Sequence, residues 1–147
     1  MKIVILAAGF GSRLWPLSTS DNPKQFQYII GDVSPLQYTY DLLTRAVGSD
    51  NIYILTLKGL EHLVFNQLPS FNATQLVVVP QRRNTLPHTV VALRALAGSE
   101  DEIVHFMSVD YVQSNPEQFI RTQQQYLFVT TRFDAQRVYL QVATTDD

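Results

Sequence analysis

The stretch whose reading decides the fold is "KIVILAAGFGSRLWPLSTSDNPKQF", Lys2 to Phe26. It opens on the run Lys2 to Ala7, which is continuously apolar after its lysine rather than alternating, as expected of a strand covered on both faces. The run then stops at Ala7 and gives way to Gly9, Gly11, Arg13, Trp15, Pro16, Pro23 and Lys24, with neither helical nor strand period. A segment as long as Ala8 to Gln25 without regular structure in a compact domain is usually functional or disordered. Trp15, Pro16, Leu17 and Pro23 favour order, and Trp15 and Phe26 are expected to pack the loop down as apolar anchors.

Working outward, the same kind of run recurs as "NIYILTL" (Asn51 to Leu57), "QLVVVP" (Gln75 to Pro80), "EIVHFMSV" (Glu102 to Val109) and "RVYLQVA" (Arg137 to Ala143), which predicts five strands. Helix signals lie between them. Ser34, Pro35 and Gln37 supply an N-cap hydroxyl, a proline in the first turn and a capping-box glutamine, and Gly48 closes the helix. Leu36, Tyr40, Leu43 and Val47 then share one face. The same opening recurs at Asn115, Pro116, Glu117 and Gln118. A third helix is predicted from Thr85 to Ala97, with Leu86, Val90, Leu93 and Ala97 inward and Gly98 closing it, and a weaker one from Gly59 to Leu68. Strands alternating with helices predict an α/β fold: a Rossmann-like, mostly parallel sheet with helices on both faces, in which ligands sit beyond the carboxyl ends of the strands.

Composition bounds what such a fold can do. The chain has 147 residues, 46% of them hydrophobic, which suits a single domain over residues 1–147. Its formal net charge of −2 gives no global footprint for nucleic acid or an anionic membrane, so any anion site must come from local clustering. Cysteine is absent, which excludes disulfides, thiolate metal sites and a cysteine nucleophile, and makes the cytoplasm the default compartment. The apolar stretch near the N-terminus is far shorter than the roughly 20 residues that span a bilayer, so no membrane role is expected. The polar end "ATTDD" reads as a fraying terminus.

A glycine turn after the first strand brings backbone N–H groups close to a phosphate, because no Cβ blocks the approach. Anion binding is therefore the leading reading of the loop. Two familiar phosphate loops are excluded: a dinucleotide fingerprint needs glycine where Leu14 stands, and a Walker A loop needs a GK[ST] run that is absent. Taken singly, Arg13 and Lys24 read as solvated surface charges. Held together on a glycine loop, they would neutralise charge on a transferring phosphorus and its leaving group, the main demand of phosphoryl transfer.

The pattern "LAAGFGSRLWPLS" followed by "PKQF" resembles the opening signature of the sugar-nucleotidyltransferases, and the tryptophan with PKQF looks most like the mannose-1-phosphate guanylyltransferases (GDP-mannose pyrophosphorylases). Downstream, "VPQRRNTLPH" (Val79 to His88) resembles that family's proline and RNT loop, and Asp110 in "SVDY" falls where the family has its metal-binding aspartate. The resemblance spans Lys2 to Phe119 and implies the nucleotide-diphospho-sugar transferase type of fold. It further implies that Ala8, Gly9, Gly11, Ser12 and Arg13 line the nucleotide phosphates, that Arg13 and Lys24 are catalytic cations, that Asn84 and Thr85 help hold the nucleoside, and that Asp110 binds Mg²⁺. The implied reaction transfers a guanylyl group from GTP to mannose-1-phosphate, giving GDP-mannose and pyrophosphate. Its nucleophile is already anionic, so positioning and charge neutralisation suffice without a general base.

Departures from the family pattern are Ala8 and Val79, Thr19 in place of arginine, His88 in place of a small residue, and Ser108 and Tyr111 around Asp110. The alternatives carried forward are a non-catalytic nucleotide-binding or regulatory module, and one part of a split enzyme that needs a complementing chain or self-associates through an open sheet edge. Arg82 and Arg83 read equally as a solvated turn or a triphosphate clamp. His62, His88 and His105 lack ligand spacing and read as structural.

Overall fold

The computed structural model describes residues 2–9, 11–81, 85–96, 104–109 and 112–132. Among these residues, four strands, β1 (Lys2–Ala7), β2 (Ile52–Leu57), β3 (Leu76–Val79) and β4 (Val104–Ser108), alternate with four α-helices, α1 (Pro35–Val47), α2 (Glu61–Gln67), α3 (Thr85–Leu96) and α4 (Pro116–Arg132). The strand expected at residues 137–143 lies outside the described residues.

These four strands pair in parallel, in the order β3-β2-β1-β4. β1 aligns Ile3 with Ile52 on one side and with His105 on the other. Ile3, Val4 and Ile5 of β1 and Ile52, Ile54 and Leu55 of β2 are fully buried. Consecutive strand residues face opposite sides, so unbroken burial means that both faces are covered. The chain steps outward from β1 through β2 to β3, then returns across the sheet to β4. Right-handed crossovers place the helices of outward and return steps on opposite faces.

The α1 capping box forms as its residues require. The Gln37 N–H donates to Ser34 Oγ at 3.1 Å, and Gln37 Oε1 accepts from the Ser34 N–H at 3.0 Å. Gly48 ends the helix at φ 80°, where a side chain would be strained. Leu36 and Leu43 are buried in the main core, while Leu42 and Ala46 pack on Ile120 of α4. Arg45 and Glu117 pair across the same two helices. α4 is capped in turn by Asn115, whose Oδ1 accepts from the Gln118 N–H at 3.0 Å.

α3 turns a different face inward from the one expected. His88, Ala92 and Leu96 are buried, whereas Val90 and Leu93 are 49% and 42% exposed. Val90 to Leu93 is an unbroken apolar run, so the sequence offers more than one helical stripe. The helix lies against β3, and the residue buried completely at its middle is the small Ala92.

Candidate functional site

β1 lies between β2, reached through α1, and β4, reached by the return crossing. Ligands of open α/β sheets usually sit beyond the carboxyl ends of the strands. The Ala8–Gln25 loop begins at this point. Leu6 pairs in register with Ser108, so Val109, 4% exposed, arrives at the same edge.

The loop is built from tight turns. Gly11 adopts the left-handed conformation, φ 63° and ψ 42°, and opens the 3-10 turn Ser12–Leu14. The Leu14 N–H closes that turn on Gly11 O at 2.8 Å, and the Ser18 N–H returns to Leu14 O at 3.1 Å. Thr19 and Asn22 form a second turn, with Asn22 N–H to Thr19 Oγ1 at 3.1 Å. A further 3-10 turn, Lys24–Phe26, follows the buried Pro23. Among the described residues, the N–H groups of Gly11, Ser12 and Arg13 have no hydrogen-bond partner.

Lys24 and Gly11 meet in space. A Cβ at Gly11 would fall 2.6 to 2.7 Å from Cβ, Cγ and Cδ of Lys24, well inside van der Waals contact. The lysine stem therefore lies directly on the glycine α-carbon. Gly9 differs: it is exposed, and a Cβ there would meet nothing within 4 Å. Among the described residues, nothing thus requires glycine at position 9, and the space beside it is open to a ligand.

Glutamines fix the Lys24–Phe26 turn. Gln25 is fully buried, and its Nε2 donates to Ala7 O at the end of β1 at 2.8 Å, an oxygen that also accepts from Thr56 Oγ1 at 3.4 Å. Gln27 Nε2 donates to Leu17 O and Asn22 O, at 2.9 and 2.6 Å. Gln67 Nε2 donates to Phe26 O at 2.7 Å. Gln25 lies inside the motif that drew attention to Lys24, but its neighbour did not mark it as an anchor. Gln67 carries no signal in the sequence at all.

The structure thus brings Ala8, Gly9, Gly11, Ser12, Arg13 and Lys24 to one edge, with Ala8 buried and Arg13 exposed. Arg13 has no ion-pair or hydrogen-bond partner among the described residues. Thr85 begins α3 beyond the end of β3, two strands from β1, or roughly 10 Å across the sheet. Asn84, Asp110 and the Arg82–Arg83 pair lie outside the described residues. Phe26 is an anchor, at 3% exposed, but Trp15 is not: it stands 77% exposed beside Leu17 at 68%. The Ser12–Leu14 turn throws residues 15–17 onto the outer surface, and Phe26 alone of the two aromatics joins the core.

No group of three or more His, Asp or Glu residues that could cage a metal occurs among the described residues. His88 Nε2 contacts Gln81 O at 3.3 Å, a structural role. Burial lowers the pKa of His105 below its ordinary 6.5, and the nearby Gln123 side chain offsets part of that shift. No described helix is long and apolar enough to cross a membrane.

Residues 2–138 match the family model of the nucleotidyl transferases, and the chain belongs to that family. Among its relatives, it is 34% identical over 125 residues to a mannose-1-phosphate guanylyltransferase of Salmonella muenchen, an alignment covering 80% of this chain and 26% of that protein. It is 35% identical over 131 residues to the mannose-1-phosphate guanylyltransferase of Escherichia coli, covering 84% and 27%. The alginate biosynthesis protein AlgA of Pseudomonas aeruginosa is 34% identical over 119 residues, covering 79% and 24%. The chain therefore spans about a quarter of the length of the curated relatives it matches. The fold is shared with a solved structure from Thermus thermophilus, described as a mannose-1-phosphate geranyltransferase, with a TM-score of 0.72 at 22% identity over 87% of this chain and 37% of that one.

Proposed function

We propose that the glycine loop binds GTP and that the chain serves transfer of its guanylyl group to mannose-1-phosphate. An oxygen of the sugar phosphate attacks the α-phosphorus of GTP, the bond to the β-phosphate oxygen breaks, and GDP-mannose and pyrophosphate result. The observation that carries this reading is the seating of the Lys24 stem on Gly11, beside a turn in which the amides of Gly11, Ser12 and Arg13 have no partner among the described residues. The N–H groups of Gly11, Ser12 and Arg13 would take phosphate oxygens, and Gly9 would let the chain approach them closely. Lys24 and the exposed Arg13 would neutralise the charge that builds up as pyrophosphate departs. Ala8 forms the buried floor, and Thr85, which begins α3, would help hold the nucleoside together with Asn84.

Mg²⁺ binding typically uses one or two carboxylates together with the phosphates themselves, so a metal cage is not required. Asp110, which follows Val109 at the site's edge, is the carboxylate proposed to hold it. Bound there, the ion would supply further charge neutralisation on the phosphates. The pool of nucleoside triphosphates and the absence of cysteine support a cytoplasmic location.

Calorimetry with GTP and Mg²⁺, followed by a pyrophosphate-release assay with mannose-1-phosphate, tests the proposal. Binding is expected, with GTP preferred over ATP, UTP and dTTP in competition. Where turnover occurs, Lys24→Met and Arg13→Ala are each expected to lower kcat by about 10²-fold or more, the scale of losing one preorganised electrostatic donor. Absence of GTP binding would sink the proposal, and binding without pyrophosphate release would leave a nucleotide-binding module.

A further inference from the structure

We propose that Gln67, at the end of α2 and outside every motif in the sequence, is a positioning residue for Lys24. The proposal rests on the reading of Lys24 as a phosphate-binding cation. A single file of hydrogen bonds runs into the lysine turn: Gln37 N–H to Ser34 Oγ at 3.1 Å, the Ser34 hydroxyl to Gln67 Oε1 at 2.6 Å, and Gln67 Nε2–H to Phe26 O at 2.7 Å. Each donor is polarised by the bond it accepts, so the members of such a chain strengthen one another. Ser34 is fully buried, and water cannot replace the amide as partner of its hydroxyl. The backbone of Gln67 is held as well, its carbonyl accepting from Gln37 Nε2 at 3.1 Å.

Phe26 ends the 3-10 turn that Lys24 begins, closed by Phe26 N–H to Pro23 O at 3.0 Å and Gln27 N–H to Lys24 O at 3.2 Å. Holding the Phe26 carbonyl therefore fixes the peptide planes from which the lysine departs. On the opposite side, the lysine stem rests on Gly11 with no room for even a methyl group. Gln67 itself bonds the backbone of the turn rather than the lysine. It acts on phosphate only through the direction in which Lys24 leaves that turn.

The experiment compares the whole chain with Gln67→Met, Lys24→Ala and the double variant. Amide hydrogen exchange at Phe26 and Gln27 is measured without nucleotide, and calorimetry then gives the affinities for Mg²⁺ with GTP and for guanosine. In Gln67→Met, exchange at those two amides is expected to quicken roughly tenfold, as loss of one net hydrogen bond allows, while the β1 amides stay unchanged. GTP affinity should fall by a similar factor, guanosine affinity should hold, and the substitution should add nothing once Lys24 is alanine. Unchanged exchange, equal loss for GTP and guanosine, or additivity with Lys24→Ala would each overturn the proposal. If the wild-type chain fails to bind GTP, the reading of the site falls, and exchange alone decides whether Gln67 holds the turn. Should Gln67→Met fail to fold, Gln67→Glu, which keeps an acceptor for Ser34 and loses the donor to Phe26, gives the same comparison.

Discussion

Gly9 and Gly11 stand two positions apart and are glycine for different reasons. At Gly11 the reason is internal: φ of 63° and the Lys24 stem both exclude a side chain. Gly11→Ala should therefore lower stability by about 1–2 kcal/mol from backbone strain alone, with the contact adding to it, and thermal melting measures the loss. At Gly9 the described residues impose neither condition, so Gly9→Ala should leave stability in thermal melting unchanged or raise it slightly, by up to about 1 kcal/mol through restriction of the unfolded chain. The same variant should weaken GTP in calorimetry, because the added methyl group occupies the open space. A Gly9→Ala protein that binds GTP as well as wild type would remove that residue from the site. His105 gives a further test at this scale. Its lowered pKa means that below pH 6.5 the unfolded chain takes up a proton that the folded chain refuses, so stability falls on acidification through that value and is unaffected well above it. His105→Gln should flatten the dependence of the melting temperature between about pH 7 and pH 5.

The elements differ in how far the sequence announces them. The α1 cap is complete within Ser34 to Gln37, and β1 declares itself by an apolar run, so both are legible from neighbours in the chain. The inward face of α3 is not, because it is chosen by what the helix lies against. Val90→Lys and Leu93→Lys are expected to change stability by no more than about 0.5 kcal/mol, as exposed substitutions do, whereas Ala92→Leu should cost about 1–3 kcal/mol by overpacking. Denaturant titrations of the three variants decide between this face and the one the periodicity suggested. The same limit explains Trp15, whose burial depends on a partner elsewhere in the fold. It also explains Gln67, whose bond to Phe26 joins residues 41 apart and leaves no spacing to read. The glycine loop, Arg13 and Lys24 were visible because their chemistry is concentrated in one stretch, while the amides that hold the stretch in place are scattered.

At the scale of the whole molecule, the candidate site is tied to separate parts of the fold. Gln25 anchors it to the end of β1, Gln67 links it to α2, and Ser34 continues that link to the start of α1. A loop attached in this way cannot unfold far without disturbing the sheet and both helices. Ligand bound to it should accordingly oppose unfolding of the whole chain rather than of the loop alone. At 100 times its dissociation constant, Mg²⁺ with GTP should add about 2.7 kcal/mol, which for a chain of this size corresponds to a rise of roughly 5–10 °C in melting temperature. Calorimetric scans at increasing GTP should show one transition moving upward together with the exchange protection of the β1 amides. Were the loop an independent flap, an early transition would separate and move alone, while the main one kept its temperature. In Gln67→Met, with one tether cut, the two should begin to part at equal nucleotide saturation.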